Sequence, residues 1–108
     1  MKFENQKTKL IIQKKIEEKE CKKIAICSSI RTKTFYNYIK KIRQELENEN
    51  FTQVTFFIEN EENNLKYLLG CDAVILVEKY TETRYKEFNE MTEMLREMCL
   101  PILGVITI

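Results

Sequence analysis

At 108 residues the chain is long enough for one domain that buries roughly two-thirds of its unfolded surface without metals or disulfide bridges. Its 44% hydrophobic and 32% charged residues are those of an ordinary globular protein, and a net charge of +1 provides no molecule-wide field for a nucleic acid. With no histidine and no CxxC spacing among the four cysteines, most zinc, haem and histidine-based acid–base chemistry is excluded. No metal or cofactor is expected.

The charge is unevenly spread. Residues 1–23 hold eight lysines against four glutamates, a net +4, whereas residues 24–108 hold ten basic and thirteen acidic groups, a net −3. Residues 4–22, with Leu10, Ile11, Ile12 and Ile16 set among lysines and glutamates, predict an extra helix packed on the body or against a second copy. We therefore divide the chain into a lysine-rich helical arm, 1–22, and an α/β domain, 23–108. The arm reads either as a solvated segment or as one attracted to anionic lipid or an acidic partner. The longest apolar stretches are about six residues, far short of a membrane-spanning helix, and no signal peptide is evident. A cytoplasmic location with reduced thiols is expected.

From Ile24 the sequence alternates two periods. "KIAIC" (23–27) reads as a short buried strand, and Phe35, Tyr38, Ile39, Ile42 and Leu46 then recur as one helical stripe. "ENEN" (47–50) is a polar break, and "FTQVTFFI" (51–58) is rich in strand-forming residues. "ENEENN" (59–64) supplies a cap for a short helix with Leu65, Leu68 and Leu69, which Gly70 is placed to end. "AVILV" (73–77) predicts a central strand covered on both faces. Phe88, Met91, Thr92, Leu95 and Met98 form the next helical stripe, Pro101 stops it, and "ILGVITI" (102–108) is the last strand. Cys71 and Cys99, among apolar neighbours, read as small core residues.

This pattern predicts a three-layer, Rossmann-like open parallel sheet of about four strands in the order 2-1-3-4, with an extra N-terminal helix. Ligands of such sheets sit outside the carboxyl ends of the strands, where the order reverses. That places a site between the loops Cys27–Thr34 and Glu78–Arg84. The candidate anion-binding residues are Ser28, Ser29, Arg31, Lys33, Thr34, Lys79 and Arg84; Glu78 and Glu82 could instead neutralise the cations within the loop.

The first loop lacks what a nucleotide phosphate loop needs. Glycines let main-chain N–H groups turn inward and approach the phosphates, and the chain's two glycines, Gly70 and Gly104, lie elsewhere. Lys33-Thr34 matches the lysine–hydroxyl pair, but no aspartate ends the third strand to hold magnesium; Glu78 stands there. Cys27 has two readings. It closes a buried strand as a small core residue, or it is a nucleophile whose thiolate is stabilised at a helix N-terminus beside Arg31 and Lys33. The second reading resembles a phosphocarrier of the sugar phosphotransferase IIB kind, in which a strand, a cysteine, a Ser/Thr-rich loop and a helix follow one another.

The segment from Cys71 to Ile108 resembles the end of the bacterial tyrosine-kinase domains of capsule and exopolysaccharide synthesis, relatives of the MinD-type ATPases. Asp72-Ala73, Thr83-Arg84 and Pro101-Ile102-Leu103-Gly104-Val105 fall in register with that family's motifs, and the glycine-poor form is similar to domains at the C-terminus of chain-length determinant proteins. The resemblance implies a cytoplasmic interaction or regulatory domain that has lost catalysis, with a kinase, a chain-length regulator or a second copy as partner. It further implies that the N-terminal arm contacts that partner or the inner membrane surface. Nucleic acid is not an expected partner.

Overall fold

The alternating periods become alternating strands and helices in a computed structural model, which describes residues 6–47, 54–58 and 65–108. In chain order these are α1 (Gln6–Glu18), β1 (Lys23–Cys27), α2 (Lys33–Glu47), β2 (Thr55–Ile58), α3 (Leu65–Leu69), β3 (Ala73–Glu78), α4 (Tyr85–Glu97) and β4 (Ile102–Thr107). The strands pair in parallel in the order β2-β1-β3-β4, as the sequence predicts. The expected break at 48–50, the start of the second strand at 51–53 and the expected cap at 59–64 lie outside the described residues.

Strand alternation sorts the core into two sides. Ile24, Ile26, Ala73, Ile75 and Val77 face one way, and Ala25, Cys27, Val74 and Leu76 face the other. All of β3 is buried, which explains its unbroken apolar run. The helical stripe Phe35, Ile39, Ile42 and Leu46 brings α2 onto the first side, and Met91 and Leu95 bring α4 onto the second, together with Leu68 of α3. The chain moves to one side of β1 on reaching β2 and to the other side from β3 to β4. Right-handed crossovers therefore need α2 and α4 on opposite faces.

The extra helix forms part of this first layer. Ile12 and Ile16 are 0% and 5% exposed and join the cluster that contains Phe35, Ile75 and Leu103. Gly104 makes the approach close: a Cβ there would stand 3.0 Å from Cγ1 of Ile12. Through Ile12 and Ile16 this helix packs on the body.

Two helices stop without glycine. After α4, Cys99 has φ 59, its N–H donates to the Arg96 carbonyl and the Leu100 N–H donates to the Leu95 carbonyl. After α1, Glu20 has φ 50, with N–H donation from Glu20 to Glu17 and from Cys21 to Ile16. Both are Schellman closures with a side chain where glycine is preferred, each followed by a buried residue, Leu100 or Cys21. This overturns the core placement of Cys99, whose side chain is exposed; Cys71 is buried as expected. Gly70 follows α3, but its φ is not positive, and i→i−3 bonds from Gly70 and Cys71 close the turn instead. Cys99→Gly is expected to raise stability by up to about 1 kcal/mol, since relief of left-handed strain exceeds the added unfolded-state entropy. Urea denaturation checks this, and an unchanged or lowered midpoint would count against the strain.

Candidate functional site

At the carboxyl ends of β1 and β3 the two predicted loops meet around a crevice of about 500 Å³. Residues 29–32 form one wall, residues 81–84 the other, and Glu87 of α4 contributes from the side. Thr32 and Arg84, the residues that precede α2 and α4, both line it. Thr32 caps α2, its hydroxyl accepting the Phe35 N–H at 3.2 Å, whereas Arg84 precedes α4 without a side-chain cap.

Behind the lining residues Ser29 and Thr83 lies Glu78, the last residue of β3, which is only 5% exposed. Its Oε1 accepts the Ser29 N–H at 2.8 Å. Its Oε2 accepts the Ser29 hydroxyl at 2.8 Å and the Thr83 hydroxyl at 2.7 Å. Thr83 Oγ1 in turn accepts the Lys79 N–H at 3.2 Å. One carboxylate thus ties the loop after β1 to the loop after β3. It also occupies the Ser29 amide, a group that a phosphate loop would turn towards its ligand.

The candidate residues separate. Arg31 and Arg84 line the crevice, and Ser29 lies at its base. Ser28 is buried, its hydroxyl accepting the Ile30 N–H at 3.0 Å. Lys33 and Thr34 are exposed on the first turn of α2 and do not line the crevice. Lys79 turns to Glu82 at 3.5 Å. Since Glu82 and Glu87 line the crevice with the two arginines, its charged lining is mixed rather than a purely positive lip. Among the described residues no three His, Cys, Asp or Glu side chains converge as a metal would require.

One contributor, Thr32, was not singled out in the sequence, and the partners of another, Glu78, were not visible there. Thr32 carries the usual helix-start signal, a hydroxyl residue three before the first stripe residue, Phe35. Glu78 was legible as an acid ending an apolar strand, but its donors Ser29 and Thr83 come from separate loops.

Cys27 is 4% exposed, and its side chain lies in the cluster of Leu76, Met91 and Leu95, beneath α4. The position is that of a small residue closing a buried strand. An attacking thiolate needs a route to its substrate, and this burial opposes one. Cys21 is buried too; burial first, and then the charge of Asp72, push its thiol up from its ordinary value.

Asp72 clamps the opposite end of the sheet. Its Oδ2 accepts the N–H groups of Lys22 and Lys23 at 2.8 and 3.0 Å, bonds that hold its carboxyl below the usual aspartate range. Because the folded-state value is depressed, the stabilisation is complete above the unfolded-state pKa of about 4 and is lost as pH falls through the native one. The group is exposed, so Asp72→Ala is expected to cost only about 1 kcal/mol at neutral pH. The deficit should shrink on acidification below about pH 4, which thermal melts across pH 2–6 would show.

No family model, curated protein or solved structure matches the chain. No helix among the described residues is long and apolar enough to cross a membrane.

Proposed function

We propose that the chain is a non-catalytic interaction domain. One observation carries this reading: behind the lining of the switch-point crevice the chain's own buried carboxylate, Glu78, draws three donors of the two crevice loops to itself. A buried carboxylate there repels phosphate, and it engages the Ser29 amide and the hydroxyls of Ser29 and Thr83. The loop has no glycine to supply further inward amides. The setting proposed with it, regulation of cell-surface polysaccharide assembly in the cytoplasm beside a kinase or chain-length regulator, rests on the motifs of residues 71–108.

Calorimetric titration with ATP and magnesium tests the non-catalytic part. No saturable heat is expected up to millimolar nucleotide, and affinity near micromolar would overturn it. The cysteine phosphocarrier alternative is tested by alkylation at neutral pH. Cys99 should react first, with Cys21, Cys27 and Cys71 protected until the protein unfolds, as their burial requires. Preferential reaction at Cys27 in the folded protein would favour the carrier.

A further inference from the structure

We infer that the free edge of β4 is an interface that pairs antiparallel with β4 of a second copy of this chain. The inference rests on reading the chain as an interaction domain, and it names the surface and the partner.

Among the described residues β4 lies at the margin of the sheet and is paired only with β3. The Ile108 N–H donates to the Glu78 carbonyl, on the β3 side. Because strand groups alternate in direction, the N–H and C=O groups of Val105 and Thr107 point away from β3. Among the described residues they meet no main-chain partner. The register shift in this pairing falls between Val74 and Ile75, opposite Ile102 and Gly104, so the stretch from Gly104 to Thr107 is regular and able to pair.

Exposed edges are usually blunted by lysine, proline or a covering segment. In a chain that is 32% charged, residues 101–108 include no charged side chain, and the one proline, Pro101, precedes the strand. Val105 is 39% exposed, and Thr107 is exposed as well. The helix over this margin, α1, adds exposed Leu10 and Ile11, at 61% and 42%. Apolar surface thus flanks the unpaired groups.

The partner follows from the chemistry of the edge. Unpaired N–H and C=O groups at alternate residues are satisfied by a strand. Two-fold pairing places Val105 of one copy opposite Thr107 of the other, so that each outward N–H meets a carbonyl. Such pairing sets a strand against itself. A charged strand would oppose this, whereas an uncharged one tolerates it.

Sedimentation velocity on the full chain, from about 1 µM to about 1 mM, tests the inference. A monomer–dimer equilibrium is expected, weakened at least tenfold by Val105→Pro, which deletes one outward N–H. Thr107→Lys, an exposed change that keeps every main-chain group, should weaken it similarly by bringing like charges together, and it serves if the proline variant fails to fold. Amide exchange at Val105 and Thr107 should slow with concentration in the unmodified chain only. A chain that stays monomeric throughout overturns the inference and leaves the edge to a strand of another protein. A dimer undiminished by both variants overturns it in favour of a different face. Neither result bears on nucleotide binding, so failure here is distinct from failure of the non-catalytic reading.

Discussion

Replacing Glu78 with alanine is expected to destabilise the fold by about 2–3 kcal/mol, lowering the melting temperature by roughly 10–20 °C. The substitution removes the acceptor of the Ser29 N–H, the Ser29 hydroxyl and the Thr83 hydroxyl together. The carboxylate is nearly fully buried, but the crevice above it is open, and water can satisfy part of what is lost. That keeps the effect below the sum of three charge-assisted bonds. Glu78→Gln should cost less, about 1–2 kcal/mol, because one amide oxygen still accepts while the NH₂ group cannot replace the second. Urea denaturation gives the size, and amide exchange at Ser29 gives the location. A loss under about 0.5 kcal/mol for the alanine variant would mean the carboxylate is not the clamp described.

A loss of about 3–4 kcal/mol is expected for Ile12→Ala, the cost of a cavity at a fully buried branched side chain. Ile12 is 0% exposed and sits over Gly104. Leu10→Ala, two residues away but 61% exposed, should change stability by less than about 0.5 kcal/mol. The contrast separates a structural layer from an appended arm. Equal and small effects for the two variants would mean that α1 contributes nothing to the core, and equilibrium unfolding measured by fluorescence or circular dichroism decides between them.

The arrangement of strands was legible because each connection carried a period that could be assigned. The stripe from Phe35 to Leu46 and the run from Ala73 to Val77 leave little choice of element, and right-handed crossovers then fix the order. Local chemistry that depends on a turn was less visible. Cys99 has apolar neighbours on both sides, yet a Schellman closure turns it outward, and only its φ of 59 records this. The site was legible in place but not in chemistry. The two loops face each other as the topology requires, but Lys79 is held by Glu82 three residues on, a local pair that removes it from the crevice. The clamp at Glu78 unites residues 29, 78 and 83, and nothing in the spacing of one sequence signals such a meeting.

The contact between Ile12 and Gly104 also sets the order of events during synthesis. A growing polypeptide presents the apolar stripe of α1 long before the strand that receives it has been made. At the roughly 5–20 residues per second of translation, this interval lasts on the order of 5–20 s. Chaperones that hold nascent chains would meet that stripe before the sheet it packs on, and release from them would coincide with arrival of β4.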